Sequence, residues 1–320
     1  MRIFRGLEEL PAGFGPAAVS IGNFDGVHCG HRLILERLRE RARTGGLRSV
    51  AVTFNPHPMR ALRPEAGLRL ITPLDSRLEL LAATGIDAAM ILPFTPALSR
   101  MRAADFIRAI VRDSLRALEV HEGANFRFGH RAEAGATELQ EMGRDMGFAV
   151  TLYGPCAIRG CAVSSSRIRE LLLQGDLRTA RALLGRSFFV RSTPARGRGV
   201  GATLDAPTIN LAPYSELLPP NGVYVTRLRV GTVWCDGVSN IGYRPTFGPG
   251  AFAVETHLLD FQRLALHPVE LDHTTPLKLV FLKKLRDERA WPSPEALQQQ
   301  IFKDVARARR YHRLLRLFAG

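Results

Sequence analysis

Cysteine is scarce in this 320-residue chain, and the four present (Cys29, Cys156, Cys161 and Cys235) form no Cys-x-x-Cys pair and no dense framework. Reduced thiols are therefore expected, not disulfides or zinc ligands. No apolar run approaches the roughly 20 residues that span a bilayer. The first ten residues, with Arg2, Arg5, Glu8 and Glu9, lack the uninterrupted apolar core of a secretory signal. A cytoplasmic protein without a membrane partner is expected. There is no internal repeat and no low-complexity tract. Aromatic residues make up only 8%, and no RNA-recognition or zinc-finger signature appears, so nucleic acid is not the expected partner. Acidic residues are also in deficit: 30 Asp plus Glu stand against 44 Lys plus Arg, mostly arginine, for a net charge of +14. That excess favours anionic partners, whether phosphorylated small molecules or nucleic acid, and does not choose between them.

What remains is ordinary globular composition, 46% apolar and 23% charged. The length suggests about two domains. Ala17 to Ile21 is a short apolar run ending in a glycine-containing loop. After the loop, Leu33, Ile34, Leu35, Leu38 and Ala42 recur at helical spacing. Ser49 to Phe54 reads as a strand stopped by Asn55-Pro56-His57-Pro58. A helix over Ser76 to Thr84 and a strand over Ala88 to Leu92 continue the alternation, and Val150 to Tyr153 reads as a last strand. This β–α–β–α–β order predicts a parallel sheet covered by helices. Such sheets bind ligands outside the carboxyl ends of their strands, which is where the Gly22 and Asn55 loops would lie. Helices are expected over Ser166–Gln174 and Asp176–Leu184. After Gly185 the pattern changes to short strand candidates at 188–190, 222–225, 233–234, 254–258 and 277–281, separated by Gly, Pro and Asn. A small antiparallel barrel or sandwich is expected there. A basic helical tail covers Pro294 to Leu317. The domains are thus expected at 1–185 and 186–320.

The first chemical constellation is Gly22-Asn23-Phe24-Asp25-Gly26-Val27-His28-Cys29-Gly30-His31. His28 and His31 stand three residues apart at a predicted helix start, on one side of the first turn. Free N–H groups there favour anions, and Gly22, Gly26 and Gly30 let backbone and phosphate approach closely. A lone His-x-x-His is more often a pair of surface histidines; the whole string between a strand and a helix reverses that preference. Ser164-Ser165-Ser166-Arg167-Ile168-Arg169 opens another helix with hydroxyls that can cap it or bind phosphate. Arg169, or Arg167, could clamp ATP phosphates. The expected chemistry is attack of an acceptor phosphate on the α-phosphorus of ATP, catalysed by positioning and charge stabilisation, with Mg2+ neutralising the phosphates. Cys29 is not needed as a nucleophile.

These residues resemble the bacterial bifunctional riboflavin kinase/FAD synthetases over nearly the whole chain. Gly22–His31 looks like the family's nucleotidyltransferase signature. Thr53-Phe54-Asn55-Pro56-His57-Pro58 resembles its TFxPHP segment, with Asn55 where an acidic residue is usual. Gly123-Ala124-Asn125-Phe126-Arg127-Phe128-Gly129 resembles its G-x-[ND]-F-x-F-G segment, Ser164–Arg169 its SSTxIR segment, and Leu183–Arg186 the junction before the kinase domain. The resemblance implies a Rossmann-like α/β nucleotidyltransferase domain that adenylylates FMN to FAD, followed by a split β-barrel riboflavin kinase domain with a C-terminal helix. It implies that His28 and His31 stabilise the transition state. Gly22, Asn23, Phe24, Asp25, Gly30, Asn125, Ser164, Ser165 and Arg169 then form the ATP and phosphate site. Flavin-contacting residues are not assigned.

In the second half, Pro207-Thr208-Ile209-Asn210 looks like the family's PTAN motif, Asn240 to Phe247 like its NIGxRPTF segment, and Glu255 matches its catalytic glutamate. Thr208 and Asn210 are implied as ATP-phosphate and Mg2+ contacts. A carboxylate can accept the riboflavin 5′-hydroxyl proton as it attacks the γ-phosphorus, and the loop Arg196–Gly201 could cover phosphates. The chain departs from the family's GRxLGFPTAN at Ala202, which removes an arginine, and at Asp205, which adds negative charge near a phosphate site. The tyrosine–glycine pair after Leu259-Asp260-Phe261 is absent, and Trp291 stands where Phe is usual. Three readings follow. The first is a two-site enzyme using riboflavin, FMN, FAD and ATP. The second is an FAD synthetase with impaired kinase activity. The third is a basic nucleic-acid-binding module, suggested by Arg307, Arg309, Arg310, Arg313 and Arg316. The oligomeric state stays open, a homo-oligomer included.

Overall fold

A computed structural model describes residues 1–195, 208–244, 251–259 and 271–318. Ala202, Asp205, Pro207, the Arg196–Gly201 loop, 245–247 and 260–268 lie outside the described residues. Contacts divide the chain into Met1–Arg167 and Ile168–Gly320.

The first unit runs β1 (Arg2–Phe4), β2 (Ala17–Ile21), α1 (Cys29–Gly45), β3 (Arg48–Asn55), α2 (Pro58–Leu62), α3 (Leu74–Ala82), β4 (Ala88–Pro93), α4 (Pro96–Ser99) and α5 (Ala103–Phe106). A π-helical stretch over Ile107–Ser114 extends α5. Then follow β5 (Ala117–Gly123), α6 (Ala136–Met146), β6 (Ala149–Tyr153) and the short hairpin β7 (Ala157–Ile158) and β8 (Cys161–Ala162). The six long strands pair in parallel in the order β1-β4-β3-β2-β5-β6. Every residue of β2 is buried, as in a parallel sheet covered on both faces. One face packs Val19, Ile21, Val52, Met90 and Val120 against Phe106, Ile107, Ile110 and Leu139. The other packs Ala18, Ala51, Ala89 and Ile91 against Leu35, Leu38, Leu78 and Leu81.

From β2 the chain proceeds outward through β3 and β4, then returns to the other side of β2 with β5. The order therefore reverses between β2 and β5, and a crevice is expected at their carboxyl ends. β2–β5 pairing ends at Val19 and Val120. Beyond it the buried Glu122 carboxylate accepts from the Ile21 N–H, replacing a backbone rung. The expected parallel sheet is present, and β5 is the strand that the apolar pattern does not announce. Glu119, His121 and Glu122 interrupt its run, yet His121 and Glu122 are buried because each has a partner.

The second unit takes up helix α7 (Ser165–Gln174) from Ile168 and continues with α8 (Leu177–Leu184), β9 (Phe189–Ser192), β10 (Thr208–Asn210), β11 (Gly222–Val230), β12 (Val233–Arg244), β13 (Ala251–Leu258), β14 (Leu277–Arg286) and α9 (Pro294–Phe318). Its strands pair antiparallel in the order β10-β13-β12-β11-β14-β9. Period-2 alternation sends Ile209, Ile241, Val254, Leu258, Leu279 and Phe281 to one buried face. That face also buries a row of hydroxyls, Thr226–Ser239–Thr256, joined at 2.8 Å each. On the opposite face Val223, Val225 and Val238 receive Ala308 of α9. No helix among the described residues is long and apolar enough to cross a membrane, and none of the four cysteines is joined in a disulfide.

Candidate active sites

The Gly22–His31 string leaves the carboxyl end of β2 and turns into α1. Phe24 and Val27 adopt φ of 48° and 38°, a left-handed conformation that side-chain-bearing residues avoid, so the surroundings must hold the loop. Buried polar groups do so. Asp25 is buried; its carboxylate accepts from the N–H groups of Ile71 and Thr72 at 3.1 and 2.9 Å and from the Thr72 hydroxyl at 3.3 Å. The Gly26 N–H donates to that hydroxyl at 2.8 Å. Asp25, expected in the phosphate-binding set, turns these carboxylate oxygens onto the backbone and hydroxyl that hold the loop.

His28 is the N-cap of α1: its Nδ1 accepts from the His31 N–H at 3.3 Å, which leaves the ring proton on Nε2. The His28 and His31 rings stack at 3.6 Å between centroids, 14° from parallel, and Phe24 meets His31 edge-on at 5.2 Å. His31 Nδ1 is buried and has no hydrogen-bond partner among the described residues. Burial, and then the neighbouring His28, hold the His31 pKa well below the ordinary histidine value. His31 is thus neutral near pH 7, and a polyphosphate beside it would favour its protonation. A Cβ on Gly30 would stand 3.3 Å from His28 Nδ1, and one on Gly22 would stand 3.3 Å from the Phe24 ring, so both positions are tight.

The serine segment reaches the same loop. Ser165 Oγ donates to the Asp25 carbonyl at 2.9 Å, and Ser164 Oγ caps α7 by accepting from the Arg167 N–H at 3.1 Å. Arg169 lies one turn further along α7. Asn125 is exposed just past β5. Sequence reading missed Arg77, which looks like one more charged residue on a helix. Its side chain is buried at 1% exposure and binds the Asn23 carbonyl, the Thr53 hydroxyl and the Phe54 carbonyl. It also missed an aromatic wall at the ends of β3 and β4, where Phe54 packs against Phe94 and Phe106; Phe126 and Phe128 stack on each other after β5.

In the barrel, register does the assembling. Asn210 pairs with Glu255, and Glu255 with Asn240 on the next strand; Thr208 pairs with His257 in the same way. Directly opposed residues share a face, so Thr208, Asn210 and Glu255 stand together, half-buried, with Asn240 completing the row. His257 is held below the ordinary histidine pKa by burial and by Arg309, so it offers a neutral ring. The face presents hydroxyl, amide and carboxylate oxygens. These suit a hard cation that keeps part of its coordination for water and phosphate. Among the described residues no group of three or more His, Cys, Asp or Glu could cage a metal by itself.

The family model of FAD synthetase matches residues 12–167, and that of riboflavin kinase matches residues 184–312. The bifunctional riboflavin kinase/FMN adenylyltransferase of Pseudomonas fluorescens is 36% identical over 315 residues, covering 97% of this chain and 97% of its own. The chain belongs to that bifunctional family. The Escherichia coli (strain K12) relative of the same description is 32% identical over 314 residues, covering 97% of this chain and 98% of its own. A crystal structure described as a macrolide-efflux protein from Streptococcus pneumoniae shares the fold with a TM-score of 0.84 at 24% identity, over 96% of this chain and 98% of that one. Family membership accounts for two domains of unlike architecture on one chain.

Proposed function

We propose that the chain makes FAD in two ATP-dependent steps: riboflavin is phosphorylated to FMN on the barrel, and FMN is adenylylated to FAD, with release of pyrophosphate, at the carboxyl ends of the parallel strands. The functional division is 1–185 and 186–320, which assigns Ser164, Ser165 and Arg169 to the adenylyl-transfer step. One observation carries the reading: the stacked His28–His31 pair opens a helix within a braced glycine loop, in a chain whose other half lines Asn210, Glu255 and Asn240 across three strands.

In adenylyl transfer an FMN phosphate oxygen attacks the α-phosphorus of ATP and pyrophosphate leaves. No protein nucleophile is required. His28 Nε2–H, His31 and the first N–H groups of α1 donate to the phosphate oxygens, and charge developing there is met by donors already in place. Gly22 and Gly30 allow the close approach. Asn23 and Phe24 shape the loop, and Asp25 fixes its position instead of touching phosphate. Asn125 contacts the nucleotide, and Arg169 neutralises the departing phosphates. Phe54, Phe94 and Phe126 offer apolar aromatic surface near the strand ends for the isoalloxazine ring.

In phosphorylation Glu255 accepts the 5′-hydroxyl proton of riboflavin as the oxygen attacks the γ-phosphorus of ATP. Thr208 and Asn210 hold ATP phosphates and, with them, Mg2+; the ion supplies charge neutralisation when bound. An FAD synthetase with a weakened kinase is the second reading, favoured by Ala202 and Asp205. Nucleic-acid binding rests on the net charge and the Arg-rich tail alone. The test is chromatography of products formed from riboflavin, ATP and Mg2+, and separately from FMN, ATP and Mg2+. FMN and FAD from the first mixture support the two-step reading, and FAD from the second mixture alone supports the weakened kinase. No product in either overturns both.

A further inference from the structure

We propose that Arg77 is a positioning residue for adenylyl transfer: its guanidinium locks the loop after β2 to the end of β3 and so sets where the His28–His31 pair stands. The inference rests on the adenylyltransferase reading above.

Arg77 projects from α3 into the first unit and is almost fully enclosed. One guanidinium nitrogen, Nη1, donates to the Asn23 carbonyl at 2.6 Å and to the Thr53 hydroxyl at 3.3 Å; Nη2 donates to the Phe54 carbonyl at 3.3 Å. Thr53 also donates to the Asn23 carbonyl at 3.3 Å. The acceptors belong to two segments, and both end at the carboxyl edge of the sheet. A planar fork can hold separated acceptors at once; a lysine ammonium at the same place cannot reproduce that geometry.

A structural role alone explains this arrangement poorly. Burying a guanidinium is costly, and an apolar side chain of similar volume often serves packing equally well or better. Its Nε is buried and has no hydrogen-bond partner among the described residues, so the site is built for the two terminal nitrogens. On the turn they hold the Asn23 carbonyl: Asn23 immediately precedes the strained Phe24, and the turn ends at His28. Asp25 anchors the same turn on Ile71 and Thr72, three and two residues before α3 begins and six and five before Arg77. Arg77 and Asp25 therefore fix the loop from two sides. The buried cation also stands behind backbone that faces phosphate, where low dielectric makes its field effective.

The test uses the full chain as wild type, Arg77→Met, Arg77→Lys, Thr53→Val and Thr53→Ser. For each, kcat and KM for ATP are measured with FMN as acceptor, riboflavin phosphorylation is measured as an internal control, and melting is recorded. The expected result is a loss of adenylyl-transfer kcat of about 10- to 100-fold in both Arg77 variants, the scale of a small misplacement of catalytic groups. KM for ATP moves less than kcat, and riboflavin phosphorylation is unchanged. Thr53→Val loses less, and Thr53→Ser restores the wild-type rate. Wild-type kcat in Arg77→Met overturns the proposal, as does an equal fall of both activities that tracks the folded fraction. If the Arg77 variants fail to fold, Thr53→Val decides: an unchanged kcat overturns the proposal, and a fall rescued by Thr53→Ser supports it. Wild-type protein that makes no FAD from FMN overturns instead the reading on which the proposal rests.

Discussion

In the first unit, the side chains of the candidate site hang on turns after β2 and β5, and the turns are fixed by buried polar groups: Asp25 on the Ile71–Thr72 backbone, Arg77 on Asn23 and Phe54, Glu122 on Ile21. In the barrel the corresponding side chains, Asn210, Glu255 and Asn240, sit in one row across three strands, and the pairing register of those strands fixes them. A loop site gains close backbone approach to phosphate and needs costly internal braces. A ladder site obtains its precision from register, and its side chains remain half-exposed. Changes to the first should disturb geometry at a distance, whereas changes to the second should act locally.

The largest expected effect breaks the barrel half of this comparison. Glu255→Gln, which keeps the shape and removes the base, should lower riboflavin phosphorylation about 100- to 10,000-fold. FAD formation from FMN should continue at the wild-type rate, as product chromatography would show. Next, His28→Ala should lower FAD formation from FMN about 100- to 1,000-fold, the scale of a lost transition-state donor, with riboflavin phosphorylation intact. If either variant loses both activities while still folded, the two sites are not independent. A smaller effect sharpens the ladder argument. Asn240→Ala should slow phosphorylation about tenfold, on the order of one hydrogen bond to a charged group, with no change in melting beyond that of an ordinary surface substitution.

The smallest effect concerns the braces. Burial raises the Glu122 carboxyl well above the ordinary carboxylate range, although the Ile21 N–H and the Ser20 hydroxyl favour its ionised form. A folded-state pKa above the unfolded value means that the folded protein holds the proton longer. The stabilising contribution is therefore full below the unfolded pKa and is lost as pH rises through the folded value. Glu122→Gln cannot titrate, so its melting temperature relative to wild type should improve from pH 5 to pH 8, by about 2–8 °C in the first unit's calorimetric transition. A difference that does not change with pH would remove Glu122 from the account.

The extent to which these sites could be read in sequence follows from the same contrast. Gly22–His31 and Ser164–Ser165 are local signals: a glycine-spaced turn and a helix start keep their meaning without knowledge of neighbours, and both stand where the residue pattern places them. The alternation of apolar strands and helices likewise announced β2, β3 and β4. Strand β5 was hidden because Glu119, His121 and Glu122 break the apolar run, and only their partners Arg41, Tyr153 and Ile21 make them compatible with burial. Arg77 was hidden for a similar reason, since an arginine on a helix usually faces water, and its acceptors lie 23 to 54 residues away. Asn240 entered the barrel row only once pairing register was known, because register joins residues 15 and 45 positions apart that no local pattern relates.

The central claim is that one chain carries two separable sites acting in series, and a complementation assay tests it directly. His28→Ala and Glu255→Gln proteins are each incubated with riboflavin, ATP and Mg2+, alone and mixed, and FAD is quantified. The account predicts that His28→Ala alone stops at FMN, that Glu255→Gln alone makes almost nothing, and that the mixture restores FAD. A mixture of folded proteins that yields no FAD, or FAD at the wild-type rate from either variant alone, would contradict it.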